Sequence, residues 1–212
     1  MPFARQEKEW YRLGVNLHRS EMSRLTICVC EKWLEPIYQW IHEELLGCEV
    51  LHMDETRIQC NKEPGKAPSS DSYMWVMCSG RSEERQAVYF QYARSRSRET
   101  AKSLLSGFHG YLMTDAYEAY NKIEGVTRSL CWAHMRRKFV NSIPLNSQKR
   151  EIPESAGAEA RKRIGKLFDV EARIQDLSYE DKQRIRQEES RPILESFWTW
   201  VEETLAAPSM NE

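Results

Sequence analysis

The sequence predicts an α/β fold: a mixed sheet of five strands, the first three antiparallel, with a helical segment before it and a helical region after it. Three observations predict this. The run Glu49-Val50-Leu51-His52-Met53-Asp54 is short, apolar and ends in an acid. The same pattern recurs sixty-one residues on, where Gly110-Tyr111-Leu112-Met113-Thr114 delivers Asp115. Between them lie two runs rich in aromatic and β-branched residues, around Trp75 and Tyr89, separated by turn residues. If the two acidic strands are neighbours, their terminal carboxylates converge on one edge of the sheet. Carboxylates at close range raise each other's pKa. A site that keeps both ionised holds a divalent metal between them.

The bulk properties allow such a fold. The chain has 212 residues, 41% hydrophobic and 30% charged, enough for a folded core and against global disorder. The net charge of -1 is no nucleic-acid signature, so a basic surface must be local. No apolar run approaches the length of a membrane-spanning helix. The charged start, Met1 to Glu9, is unlike a signal peptide, and a cytoplasmic location is expected. Six scattered cysteines, mostly in apolar runs, predict reduced thiols.

In chain order, the polar segment 5–20 holds a turn at Gly14, with Leu13, Val15 and Leu17 as apolar anchors. Ser20 is a candidate helix cap. From Met22 to Leu46, Leu25, Val29, Trp33 and Ile37 form a stripe at helical spacing, continued by Trp40, Ile41 and Leu45. The stripe predicts a packing face. Pro36 is expected to divide the run into two helices, and Gly47 to end it. The first acidic strand is expected over 49–54, then a polar loop over 61–71, then strands starting at Ser72 and Gln86. Ser97 opens a helix that Gly107 stops. The second acidic strand is expected over 110–115, a short helix over 117–123, a fifth strand over 127–132 and a basic helix from His134. Beyond Leu145 the sparse apolar positions Ile164, Leu167, Val170 and Ile174 predict amphipathic helices broken near Ser178. Pro192 opens a last helix with Phe197 and Trp200 on its apolar face. Ala206 to Glu212 read as a frayed end.

Strands one to three, a helix, then a fourth strand, with acids on the first and fourth, is the order of the ribonuclease-H-like fold. That fold hosts two-metal phosphoryl transfer on nucleic acids. Mg²⁺ prefers carboxylate oxygens, which suits Asp54 and Asp115, and Mn²⁺ can substitute. A strand-end aspartate is also a common turn or cap residue. Glu55 points away from Asp54 if the strand continues, which favours an ion-pairing role over a ligand. His52 shares the face of Asp54. Residues 128–150 contain six basic residues and no acid. Arg136, Arg137 and Lys138, with His134, form a candidate phosphate-binding group. Arg94, Arg96 and Arg98 offer a second basic cluster.

Several blocks together carry a resemblance: Lys32-Trp33-Leu34-Glu35-Pro36, Leu51 to Thr56, Glu63-Pro64-Gly65-Lys66, Ser72 to Val76, Gly110 to Tyr120, and Cys131 to Phe139. The chain resembles the transposases of the insertion-sequence 66 family over about residues 5–205. The resemblance implies a ribonuclease-H-like catalytic core and an Asp, Asp, Glu triad, with two Mg²⁺ ions in the complete site. It also implies DNA partners, element ends and target, and a homo-oligomer in the complete protein. Asp54 matches the first acid and Asp115 the second. The third, a glutamate in an Asn-Asn-x-x-Glu-Arg context, has no match here; Glu195, Glu202 and Glu203 stand in other contexts. The expected division is a helical segment over 1–48, an incomplete core over 49–144 and a helical insertion over 145–212. The activity implied is phosphodiester cleavage and strand transfer. The alternatives are a metal-dependent nuclease of the same fold and a non-catalytic DNA-binding or oligomerising remnant.

Overall fold

The computed structural model describes residues 1–207, and the chain divides into two compact units, Met1–Leu130 and Cys131–Glu212. The first is built on a five-stranded mixed sheet of β1 (Val50–Gln59), β2 (Asp71–Ser79), β3 (Val88–Ala93), β4 (Gly110–Thr114) and β5 (Val126–Leu130). The strand order is β3-β2-β1-β4-β5. β1 pairs antiparallel with β2, and β2 antiparallel with β3. β1 pairs parallel with β4, and β4 parallel with β5.

Side-chain alternation decides which face of this sheet is buried. Along β1, Leu51 and Met53 are buried, while the alternating Val50 and His52 are half-buried and Asp54 is exposed. Trp75 and Met77 of β2, Tyr89 of β3 and Leu112 of β4 join the buried face. Helix α4 (Arg98–Leu104) and the turn after it cover that face with Ala101, Leu104, Leu105 and Phe108. Ser97 caps α4 by accepting a hydrogen bond from the Thr100 N–H at 3.4 Å. Gly107, at φ +88°, turns the chain into β4. Gly110 lets β4 approach β1: a Cβ there would lie 2.5 Å from the Glu49 carbonyl oxygen.

Two boundaries differ from the sequence reading. β1 continues to Gln59 instead of ending at residue 54, because its hairpin with β2 runs on to the Gln59↔Asp71 pair. The helix expected over 117–123 is one 3₁₀ turn, Glu118–Tyr120, since the Arg128 and Asp115 contacts described below tie up this connection.

The N-terminal part comprises α1 (Phe3–Arg12), α2 (Arg19–Val29), a π turn (Cys30–Leu34) and α3 (Glu35–Leu46). The cap of α2 is His18, not Ser20; the Glu21 carboxylate accepts the His18 N–H at 3.0 Å. Pro36 does not split the run. The backbone stays helical from α2 through the π turn into α3. A π turn just ahead of Pro36 absorbs the ring and the missing N–H without a break. Most of the stripe expected to pack inward does not do so: Leu25, Val29, Trp33, Ile37 and Trp40 are 48–70% exposed. Its last two members, Ile41 and Leu45, do dock, joined by Tyr38 from outside the stripe. Tyr38, Ile41 and Leu45 pack into the core; the Tyr38 hydroxyl donates to the Phe90 carbonyl at 2.6 Å, and His42 Nε2 lies 2.8 Å from the Leu104 carbonyl.

The second unit contains α5 (Trp132–Asn141), α6 (Ala156–Arg173), α7 (Tyr179–Ile185), a π turn (Arg186–Ser190) and α8 (Arg191–Ala206). Ser155 and Ser178 cap α6 and α7 through their side chains. Ala160, Ile164 and Phe197 form its core, with Trp132, Met135, Phe139, Trp200 and Val201 packed around them. Of the expected frayed end, residues 208–212 lie outside the described residues. No helix among the described residues is long and apolar enough to cross a membrane.

Candidate metal and nucleic-acid site

The β1–β4 register places the two acids. The last parallel pair is His52↔Met113. Asp54 lies two residues beyond His52, and Asp115 two residues beyond Met113. Two residues is one side-chain repeat, so Asp54, inside β1, takes the face of His52. Asp54 and Asp115 thus each follow the last parallel pair by two residues, Asp54 within β1 and Asp115 just past the end of β4. Asp54 is not at the end of its strand: it opposes Val76 in the hairpin with β2. What ends there is the part of β1 with a neighbour on both sides.

Local hydrogen bonds set each carboxylate. Asp54 Oδ1 accepts the Glu55 N–H at 2.9 Å, and Asp115 Oδ1 accepts the Tyr117 N–H at 2.8 Å. Arg128 of β5 holds the chain around Asp115. Its Nε donates to Thr114 Oγ1 at 2.9 Å, and its Nη2 donates to the carbonyls of Asp115 and Tyr117 at 2.6 and 2.8 Å. Arg128 also reaches Asn121. It thus serves as a clamp within the fold and leaves the basic group to which its position in the sequence assigned it.

Directly behind Asp54, on the buried face, lies Glu55, whose side chain is only 2% exposed. Its carboxylate accepts the Tyr120 hydroxyl at 2.5 Å and pairs with the Arg96 guanidinium. Arg96 stacks on the Tyr117 ring, 3.8 Å from its centroid, and the Tyr117 hydroxyl donates to the Arg96 carbonyl at 2.7 Å. Burial pushes the Glu55 carboxyl above its usual pKa, against the pull of Tyr120 and Arg96. Tyr120 is raised too, first by burial, then by the Glu55 hydrogen bond and charge, then by the charges of Asp54 and Asp115. Sequence reading gave Glu55 its ion-pairing role; it did not find Tyr120 and Arg96 as the partners, because no spacing rule links residues 41 and 65 positions apart.

The residues fit a hard divalent cation in one respect: two carboxylates come from adjacent parallel strands near the end of their pairing, and each is oriented by a backbone N–H. Among the described residues, no group of three His, Cys, Asp or Glu side chains is placed to hold a metal. His52, on the face of Asp54, has its pKa lowered by burial and then by Arg81.

The basic residues separate into two kinds. Arg94 and Arg96, read as a cluster from the sequence, are committed to carboxylates. Arg94 Nε lies 2.6 Å from Glu63, and Arg96 holds Glu55. Arg136, Arg137 and Lys138 are exposed on α5 of the second unit, and among the described residues none of them forms an ion pair. Helical spacing explains their display, since Trp132, Met135 and Phe139 take the buried stripe of α5. His134 is half-buried on the same helix. All six cysteines are free thiols.

Comparison with known proteins adds the family. The uncharacterized proteins y4hP and y4jD of Sinorhizobium fredii are 25% and 27% identical to this chain over 218 and 207 residues. The alignments cover 94% and 92% of this chain but 39% of each relative, so the chain spans about two fifths of their length. A solved structure, the Drosophila P element transposase strand transfer complex, aligns with 65% of this chain and 40% of its own. Its TM-score of 0.30 and 14% identity are too slight to argue from. The family model described as the IS66 transposase family matches residues 1–212, every residue of the sequence, and the chain belongs to that family.

Proposed function

We propose that this chain supplies the first two acids, Asp54 and Asp115, of a divalent-metal site for DNA cleavage and strand transfer in a ribonuclease-H-like core. The observation that carries the reading is the register: both aspartates lie two residues beyond the His52↔Met113 pair of adjacent parallel strands. The strand order β3-β2-β1-β4-β5, with its antiparallel first three strands, supports the same core. Bound between the carboxylates, Mg²⁺ or Mn²⁺ would activate the attacking water or hydroxyl and stabilise the leaving oxygen of a phosphodiester. Asp54 and Asp115 are the ligands on this chain, and a third carboxylate elsewhere in the complete protein would finish the site for two ions. Arg136, Arg137 and Lys138, with His134 beside them, hold the DNA backbone through phosphate contacts that carry no sequence information. In this reading residues 49–144 carry the core, 145–212 an insertion, and the complete protein works as an oligomer in the cytoplasm.

Mn²⁺ titration followed by electron paramagnetic resonance tests the site. Asp54→Asn and Asp115→Asn should each weaken binding about tenfold or more, with the circular dichroism spectrum unchanged. Equal Mn²⁺ affinity in all three proteins would sink the reading. A strand-transfer assay on the complete protein separates a transposase from a nuclease, which cuts but does not join. Retention of DNA with a steep salt dependence but no metal binding would favour the non-catalytic alternative.

A further inference from the structure

The apolar stripe on α2, the π turn and α3 is left without a partner in the first unit. Its five members, Leu25, Val29, Trp33, Ile37 and Trp40, are 56, 48, 70, 53 and 53% exposed. They recur at steps of four, four, four and three residues along one continuous helical run. Steps of four drift around a regular α-helix, and the wider π turn takes back part of that drift between Val29 and Trp33. The stripe is thus kept in line across the π turn. The face docked on the sheet, with Tyr38, Ile41 and Leu45, lies about a third of a turn away.

Size and charge identify an occupant. The five side chains together with Leu34 expose roughly 600 Å², near the upper end of what a monomer leaves open. A standard interface takes about 800 Å² from each partner, about three fifths of it apolar, so the stripe is large enough to be the centre of one. The charges flanking it are divided by end. α2 carries Arg19 and Arg24 against one acid, Glu21. α3 has Glu43 beside the stripe and no lysine or arginine; Glu44 is already paired with Arg85, and Glu35 lies on the opposite side of the helix. A second copy laid antiparallel meets both conditions. Its acidic α3 covers the basic α2, its basic α2 covers the acidic α3, and apolar stripe lies on apolar stripe. Trp33 is midway along the stripe, and Arg24 and Glu43 are nearly equidistant from it in sequence. A two-fold axis at Trp33 therefore sets Arg24 of one protomer against Glu43 of its partner.

We propose that this helical arm is a homodimerisation surface, two copies packing antiparallel through the Leu25–Trp40 stripe about an axis at Trp33. The inference rests on neither aspartate and stands apart from the metal-site reading.

Sedimentation equilibrium of the whole chain, from about 1 to about 100 µM, tests it across the usual range of weak to moderate dimers. The expected result is twice the 25.0 kDa chain mass for the wild type and a single chain mass for Trp33→Glu. Trp33 is exposed, so Trp33→Glu should keep the wild-type circular dichroism and melting temperature. Arg24→Glu and Glu43→Arg should each raise the dimer Kd about tenfold, and the double variant should return to within about threefold of wild type. A wild type that remains monomeric at the highest concentration overturns the proposal. So does a dimer that Trp33→Glu leaves intact, and so does a pair of charge reversals that fail to rescue each other. DNA retention lost in Trp33→Glu, with no change of mass, would assign the face to nucleic acid and would equally overturn it.

Discussion

At the scale of single residues, Asp54 and Glu55 show how one strand assigns neighbours to opposite tasks. Asp54 faces the edge where the parallel pairing ends, and Glu55 faces the core. A carboxylate so deeply buried is tolerated only if its oxygens are satisfied and its charge is opposed. Tyr120 supplies the hydroxyl and Arg96 the charge. Removing the hydroxyl strands the acceptor without changing the ring, which still meets Trp75 edge-on at 6.0 Å. Tyr120→Phe should therefore cost about 1–3 kcal/mol in urea unfolding, and much less in a Glu55→Gln background. A cost below about 0.5 kcal/mol in the wild-type background would show that Glu55 does not need this donor.

At the scale of elements, the approach of β4 to β1 sets the strand that carries Asp54 beside the strand that leads into Asp115. It depends on Gly110, where the Tyr111 N–H donates to the Glu49 carbonyl at 2.8 Å. A methyl group at Gly110 would meet that same carbonyl oxygen at 2.5 Å and the Phe108 ring at 3.0 Å. Backbone cannot yield as a flexible side chain does. Gly110→Ala should cost about 1–3 kcal/mol and lower Tm by roughly 3–10 °C, with weaker Mn²⁺ binding as Asp115 is displaced. An unchanged Tm by scanning calorimetry would show that β4 has room to shift. The π turn at Cys30–Leu34 makes a second point at this scale. The sequence signals a proline inside a helical pattern, but whether such a run breaks, kinks or widens depends on what the flanking turns pack against.

At the scale of the whole molecule, stability toward acid depends on buried carboxylates with native partners. Glu63, buried in the first half of the β1–β2 loop, is the clearest case. The Ser72 hydroxyl donates to it at 2.5 Å, and Lys66 and Arg94 lie at 3.6 and 2.6 Å. Lys66 in turn donates to the Asp71 and Arg94 carbonyls, each at 2.6 Å, so this knot ties the loop to the start of β2 and the end of β3. The Ser72 hydrogen bond foremost, then Tyr92, Lys66 and Arg94, hold the Glu63 carboxyl below its usual pKa against the opposing effect of burial. A depressed native pKa means that the unfolded chain binds the proton more readily. The stabilisation is thus complete above the unfolded carboxyl value, about 4.3, and is lost as pH falls through the native one. Glu63→Gln should lower stability most near pH 7, and its deficit against wild type should shrink below about pH 4.3. A deficit that is the same at pH 3 and pH 7 would exclude the ionised carboxylate as the source.

Much of this molecule can be read before folding. The alternation along β1 and β4, the cap Ser97, the break near Ser178 and the stop at Gly107 are local, because each depends on the backbone preferences of a few adjacent residues. The pattern of an apolar run ending in an acid singled out Asp54 and Asp115 for the same reason. The blocks around them were enough to carry the family. Other features needed the chain brought together in space. Helical spacing marked Leu25, Val29, Trp33 and Ile37 as apolar, yet periodicity cannot say which of two apolar faces meets the sheet, and the face with Tyr38 and Leu45 took that place. Arg94, Arg96 and Arg128 read as surface cations until Glu63, Glu55 and the Asp115 carbonyl were brought to them. Sequence alone determined the strands, the two acids and the exposed cations of α5, since these follow from short-range periodicity and residue chemistry. Only tertiary structure decided the β1–β4 register and the partner each buried charge received, because both depend on contacts between residues far apart along the chain.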